Sequence, residues 1–471
     1  MFFDTKAVDE KVRALVARDK LPGVSISVLG PEGTVFEKGY GWRDGNSTIP
    51  VDPDTMFGIA SMSKSITALA LAILETEGKL SYDDPVCKYF PNFSVPGAAR
   101  DTVTLRTLAM HTSGIPPMEP LEWSIAMNSV NRQSEWIDAM RKSSPNQMNT
   151  IDHIIEYIAA CPYPTVGAPG ENMSYCNEGY AILSYVVDMA AGIPLEQFCM
   201  ERIFRPLGMT RTIMDDDCVS ARELSGGNIT SLFERDENGE LVCDDDWSIL
   251  PPFRGCAMVK STARDMAVYY RCLSNYGMHE NRQVLPRAAV EAMIGPSIPA
   301  SPIASYGLGL YKRVKCGHTI CEHSGGLHGI STKGGLLLGE GYGFAVLCNE
   351  GDADMDDIMW VLYNAVMGEP LDTCHRWFVP AGRDFSDPEM LTGSFVCREG
   401  VPAITTVSIE EGRLTAIVGG NKTNLTYCGG TRFLAMDANK PESVRSRLEF
   451  FIRNGHAWGV RCGSRIYSLN G

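Results

Sequence analysis

Among its 471 residues the chain has no Cys-x-x-Cys, no His-x-His and no His-Glu-x-x-His. The spacings by which proteins commonly hold zinc are therefore missing. Fifteen cysteines are present, but they are scattered singly, and an odd number cannot all pair internally. They read as reduced, partly buried thiols of a reducing cytoplasm. Asp352-Ala353-Asp354-Met355-Asp356-Asp357 resembles a calcium loop only superficially, because Gly is absent from the sixth position and Glu from the twelfth. It reads instead as a solvated acidic helix start. No metal and no organic cofactor is expected.

Positive charge is also scarce. The formal net charge is −15 and no strong basic run occurs, which argues against a grip on nucleic acid, where a Lys/Arg surplus must face the phosphates. Long apolar runs are absent as well. The longest, Ala68 to Leu74, falls far short of the ~20 residues that span a bilayer. The N-terminus lacks a basic segment followed by an apolar one, so no secretory signal is read and a cytoplasmic location is expected. Neither a Walker loop nor a Rossmann fingerprint occurs. Glu322 stands where a Gly-x-Ser-x-Gly elbow around Ser324 would need its first glycine.

What is present is the balance of a globular enzyme, with 44% hydrophobic and 21% charged residues. The length suggests two domains. Val24-Ser25-Ile26-Ser27-Val28 alternates as a half-buried strand, and the turn Gly30 to Gly33 returns the chain into Thr34 to Lys38 as a hairpin. A second hairpin joins Leu336 to Leu338 with Phe344 to Leu347. Short connections of this kind indicate an antiparallel sheet. Ser61 to Glu77 is apolar almost all round and ends at Gly78, a buried helix with a C-terminal glycine. Ile151 to Ala160 and Gly179 to Met189 are further helices. Pro116 to Thr150 reads as an insertion, either a lid or substrate wall or a plain surface elaboration. From Pro388 onward, short strands with Gly and Asn turns, such as Gly412 to Val418, mark a separate small β domain.

Three short segments carry chemistry. Ser61 and Lys64 are three apart and, on the first turn of a helix, share one face. A serine hydroxyl needs a base to become a nucleophile, and a lysine of lowered pKa can be that base. Tyr175 and Asn177 are two apart on a turn before a helix. The phenol is placed to shuttle a proton, and the amide to orient substrate and the lysine. Glu322-His323-Ser324-Gly325-Gly326 follows a predicted strand, Thr319 to Cys321, and its glycines let backbone approach a substrate and donate an N–H. Taken singly, each spacing is common.

In this order, Ser-x-x-Lys, Tyr-x-Asn and His-Ser-Gly resemble the motif set of the serine β-lactamase and penicillin-binding-protein family. The Tyr-x-Asn version is that of its class C β-lactamases, D,D-peptidases, D-aminopeptidases and esterases. Val103 to Ile115, which contains His111-Thr112-Ser113-Gly114, is similar to another family segment, as are Pro206 to Met209, Ser261 to Met266 and Tyr306 to Gly309. The similarity spans roughly residues 5 to 370. It implies a β-lactamase-like α/β fold, an antiparallel sheet flanked by helices plus an all-α subdomain, over residues 1–385, with the small C-terminal β domain over 386–471.

The resemblance further implies that Ser61 forms an acyl-enzyme, that Lys64 and Tyr175 share the acid–base work, and that Asn177 holds the substrate. The backbone N–H groups of Ser61 and Gly326 would form the oxyanion hole, with His323, Ser324 and Gly325 completing the substrate wall. The partner is then a small-molecule or peptide substrate, an amide, peptide or ester, with a D-amino-acid peptide or amide as one option. One departure stands out. The family's Lys-Thr-Gly lysine is His323, shorter and mostly neutral near pH 7, which sets the chain nearer to esterases and aminopeptidases than to penicillinases. A β-lactamase, or a binding or assembly protein with vestigial catalysis, are the alternatives. His111 is expected to hold the loop under the site. His328 is either a substrate contact or a loop histidine. The sequence carries no signal of oligomeric state.

Overall fold

A computed structural model describes residues 3–129, 132–215, 217–301, 303–375, 378–399, 403–440 and 444–470. The N-terminal helix α1 (Thr5–Arg18) is followed by the hairpin β1 (Gly23–Gly30) and β2 (Gly33–Gly41). Six later strands join it: β3 (Ile298–Ser301), β4 (Ala304–Tyr306), β5 (Tyr311–Lys315), β6 (His318–Leu327), β7 (Ile330–Leu337) and β8 (Tyr342–Cys348). They form one antiparallel sheet in the order β3-β4-β5-β6-β7-β8-β1-β2. The chain's first hairpin thus pairs with its last sheet strand.

Both faces of the sheet are covered. Val8, Val12 and Leu15 of α1 and Ile358 and Leu362 of the helix Asp356–Met367 pack on Val24, Ile26, Val28 and Phe344. The other face meets the helices Ser63–Thr76 and Ala263–Ser274 through Ala345, Leu347 and Leu336. This corrects the reading of β1 as half-buried. Ser25 and Ser27 are also fully buried, and remain satisfied because Ser25 donates to the Asp52 carbonyl at 3.1 Å and Ser27 to Glu37 at 3.0 Å. A period of two reports chemistry, and a second layer of helices can bury the polar side once each hydroxyl has a partner. The acidic run is likewise less solvated than its composition suggests, since Asp356 pairs with the buried Lys333.

Helix α2 (Ser63–Thr76) enters through a 3-10 turn at Ala60–Met62, and Gly78 follows it with φ +70°. Residues 63–74 are buried throughout, as the all-round apolar pattern predicts. The segment 116–150 contributes α3 (Pro120–Asn128) and α4 (Glu135–Ser143), ahead of α5 (Ile151–Ala159) and α6 (Asn177–Ala191). The remaining long helices are α7 (Ala263–Ser274) and α8 (Asp356–Met367). Among the described residues no helix is long and apolar enough to cross a membrane.

Beyond α8 the chain makes a closed eight-stranded antiparallel barrel, β9 (Gly393–Cys397) to β16 (Arg465–Leu469), with neighbours in sequence paired and β9 closing on β16. Phe395, Phe433, Leu448, Phe450 and Val460 fill it. Closure removes the two exposed edges that short strands would otherwise offer. The barrel does not stand apart from the body. The Tyr175 N–H donates to the Ser464 carbonyl at 2.9 Å, the Ile466 N–H to Ser174 Oγ at 3.2 Å, and the Arg461 guanidinium to the Ala300 carbonyl.

Candidate active site

Ser61 sits in the 3-10 turn that starts α2, after Ala60 with φ +44°, a left-handed conformation unusual for a residue with a side chain. The turn rests on the sheet. Thr332 Oγ1 of β7 donates to the Ile59 carbonyl at 3.1 Å. A Cβ on Gly325 would lie 2.2 Å from the same carbonyl oxygen and 2.4 Å from Thr332 Oγ1, so only glycine fits there. Gly326, one residue on, faces the other way, where an added Cβ meets nothing within 4 Å. The third motif therefore does not follow the strand as read from sequence. It lies inside β6, which runs on to Leu327 because β7 pairs with it through Gly326↔Ser331.

Lys64 is completely buried one helical turn after the serine. Its Nζ donates to Ser61 Oγ at 2.9 Å and to the Cys256 carbonyl at 3.1 Å. The aromatic ring of Tyr175 lies beside it, with Nζ 4.9 Å from the ring centroid, and Tyr180 follows at 5.8 Å. No carboxylate pairs with this lysine among the described residues. The structure thus brings Ser61, Lys64 and Tyr175 together in one cluster whose amine is held by neutral groups alone.

The second motif is fixed from below by His111. This histidine, itself at φ +56°, accepts the Cys176 N–H on Nδ1 at 3.1 Å, and its carbonyl accepts the Ser174 N–H at 2.8 Å. Its ring lies 4.2 Å from that of Tyr175. Burial and the nearby Lys64 charge hold its pKa well below the usual imidazole value. His111 is thus the brace expected of it.

His323 is buried too. Its Nδ1 lies 2.6 Å from the Ser324 carbonyl and its Nε2 3.2 Å from Tyr306 Oη. A carbonyl can only accept, so Nδ1 carries the hydrogen and Nε2 accepts from the tyrosine. Burial, reinforced by Lys64, pushes its pKa down to about 3. His323 is therefore a neutral imidazole with both ring nitrogens engaged. His328 lies in the turn after β6, its Nε2 3.0 Å from Asp244 and its Nδ1 3.1 Å from Glu234. Both acids belong to the hairpin Leu232–Arg235/Leu241–Asp244.

Asn177 opens α6, and its amide donates to Glu399 Oε1 at 2.9 Å. Glu399 lies just past β9 in the barrel and is clamped by Arg465, whose guanidinium stands 4.8 Å from the Tyr175 ring centroid. Two cavities meet at Ser61, Tyr175, Gly326 and Arg465. The larger, about 1350 Å³, is walled by Leu121, Ile125, Trp136 and Ile137 of the 116–150 segment and by Asn177 and Glu399. The smaller, about 530 Å³, contains His323, Ser324 and Gly325. All eight residues singled out from sequence thus border or support one cleft. Glu399, Arg465, Glu122 and Tyr306 are the contributions that sequence reasoning missed. Only Tyr306 left a trace, in the Tyr306-Gly307-Leu308-Gly309 landmark. All fifteen cysteines carry free thiols.

A cleft-lining serine bonded to a buried lysine beside a tyrosine, between an antiparallel sheet and a helical layer, defines the class of β-lactamase-fold serine hydrolases. The family model described as Beta-lactamase matches residues 8–365, and the chain belongs to that family. A penicillin-binding protein of Bacillus subtilis (strain 168) is 25% identical over 424 residues, covering 86% of this chain and 87% of that one. Among solved structures, the octameric penicillin-binding protein homologue from Pyrococcus abyssi superposes with a TM-score of 0.67 at 21% identity, over 99% of this chain and 100% of the other. A D-stereospecific amidohydrolase from Streptomyces superposes at 0.60 and 23% identity, over 76% of this chain and 97% of its own. The two structural likenesses are of fold.

Proposed function

We propose that the protein hydrolyses a small amide, peptide or ester through an acyl-enzyme on Ser61. The observation that carries this reading is the 2.9 Å contact between Ser61 Oγ and the buried Nζ of Lys64, an amine surrounded by a carbonyl and two aromatic rings and by no carboxylate. In its neutral form that amine takes the serine proton as Oγ bonds to the substrate carbonyl carbon. The oxyanion develops toward the N–H groups of Ser61 and Gly326. Lys64 and Tyr175 pass the proton to the departing amine or alcohol. Water, activated from the Tyr175 side, then splits the acyl ester, releases the acid and restores the serine hydroxyl.

The neutral state of His323 favours amide, peptide and ester substrates over β-lactams. A penicillin carboxylate would find an imidazole without charge where the family places a lysine. A D-amino-acid amide is a reasonable first substrate given the amidohydrolase among the neighbours. The domain reading, 1–385 for the hydrolase and 386–471 for the barrel, belongs to the same proposal, with the 116–150 segment as substrate wall. Turnover of p-nitrophenyl esters, D- and L-amino-acid p-nitroanilides and nitrocefin, measured beside Ser61→Ala, tests it. The expected result is hydrolysis of esters or anilides that vanishes in the variant. Undiminished turnover in Ser61→Ala, or no fluorophosphonate adduct on Ser61, would overturn it.

A further inference from the structure

Just past the third motif the chain makes a contact that the proposed chemistry does not use. His328, in the turn between β6 and β7, has a carboxylate at each ring nitrogen, Asp244 at 3.0 Å from Nε2 and Glu234 at 3.1 Å from Nδ1. A neutral imidazole offers a hydrogen to one of these acids and a lone pair to the other, whereas an imidazolium offers a hydrogen to both. The next residue adds a tie, since the Gly329 N–H donates to Glu234 at 2.6 Å.

The two acids come from different strands of one hairpin. Its inner strand, Leu232–Arg235, is fastened to the body: the Phe233 N–H donates to the Asn349 carbonyl at 2.9 Å, and the Phe233 carbonyl accepts the Gly351 N–H at 3.0 Å. The outer strand, Leu241–Asp244, pairs with the inner one and leaves Val242 half exposed on the wall of the larger cavity. Just beyond it, Asp246 meets Arg132 of the 116–150 segment at 3.1 Å. Further charges along this wall are Arg235, paired with Glu350, and Asp236, Glu237 and Asp352.

We infer that His328 is a positioning residue that fixes the outer strand as a wall of the larger cavity and thereby sets the bulk of substrate the cavity admits. The inference rests on the proposed Ser61 chemistry and concerns which substrates fit it. With both nitrogens protonated, the ring bonds both strands and holds the wall in place. Once one proton leaves, one carboxylate faces a lone pair, the outer strand loosens from the β6–β7 turn, and the cavity widens at Val242. Selectivity against bulky substrates is therefore strongest in acid and relaxes as pH rises through the range where imidazoles titrate.

Hydrogen exchange of peptides spanning 241–248, compared between the full-length protein and His328→Gln at the same pH, tests the wall without requiring turnover. Near pH 5 the parent should exchange about tenfold more slowly than the variant, as a charge-assisted contact requires, and near pH 8 the two should agree within about twofold. Asp244→Asn, which leaves the histidine in place, should lose the same protection, while α2 stays protected in both variants. With the active enzyme, the kcat/KM of p-nitrophenyl phenylacetate relative to p-nitrophenyl acetate is taken at each pH, so that shared acid–base groups cancel. That ratio should rise about tenfold from pH 5 to pH 8 in the parent and stay level in His328→Gln. Equal exchange of parent and His328→Gln near pH 5, protection that persists in Asp244→Asn, a loss of protection that extends to α2, or a level ester ratio in the parent would overturn the inference. A missing Ser61 adduct with fluorophosphonate would overturn the catalytic reading instead, and the exchange comparison would still decide the role of His328.

Discussion

Adjacent glycines in β6 should respond very differently to the same substitution. Gly325→Ala places a methyl 2.2 Å from the Ile59 carbonyl oxygen and 2.4 Å from Thr332 Oγ1. An ordinary contact needs more than 3 Å, and one neighbour is backbone, so turn and strand must separate by about 1 Å. Overpacking of this kind costs about 1–3 kcal/mol. The larger effect falls on reactivity, because Ile59 leads directly into the turn carrying Ser61, and a displacement of about 1 Å at a nucleophile costs on the order of a hundredfold in rate. Gly326→Ala adds its methyl to open space. Its stability should stay within about 0.5 kcal/mol of the parent. Melting curves and the rate of fluorophosphonate labelling at Ser61 measure both. A Gly325→Ala protein with parental melting and labelling would refute the claim that β6 seats the nucleophile turn.

Two further outcomes follow from buried charge. His323 has a folded pKa near 3, below that of the unfolded chain, so the unfolded state binds the extra proton and its contribution to stability is lost as pH falls from about 6.5 toward 3. At pH 5 the loss is about 2 kcal/mol. Comparing the pH dependence of denaturant unfolding for His323→Gln and the parent isolates this contribution, since Glu122 and Glu178 titrate in both. Glu322, 2% exposed, joins Arg313, Lys333 and the Tyr363 hydroxyl. Glu322→Leu strands Arg313 and leaves Lys333 with Asp356 alone, and should destabilise the body by about 3 kcal/mol, read as a lower urea midpoint. An unchanged midpoint would mean that water or Asp356 alone compensates Lys333.

The legible parts of this protein were those whose causes are local. A serine and a lysine three apart at a helix start must share a face, and the fully apolar stretch from Ala68 to Leu74 must be buried. Both hairpins announced themselves through their turns. What stayed hidden depends on pairs distant in sequence. Glu399 is an unremarkable acid until the barrel carries it to Asn177, 222 positions away. Arg465 carries no local signal, and its place at the cleft follows only once Ser464 and Ile466 bond Tyr175 and Ser174. The alternation in β1 misled for a related reason, since only the later helix α7 decides whether its serines meet water. Closure of the barrel was equally unreadable, because β9 pairs with β16 and no local pattern records which strand lies last.

The hydrogen bond from Tyr175 to the Ser464 carbonyl also bears on how the enzyme comes into being. A ribosome releases Ser61, Lys64 and Tyr175 long before residues 464–466 exist, and a contact between such remote positions closes late and slowly. The helix and strands that seat the serine can form while the barrel is still being synthesised. The loop carrying Tyr175 and the Asn177 amide acquire their final partners only afterwards. A chain interrupted before residue 464 keeps its nucleophile but lacks the Ser464 and Arg465 contacts that complete the pocket wall.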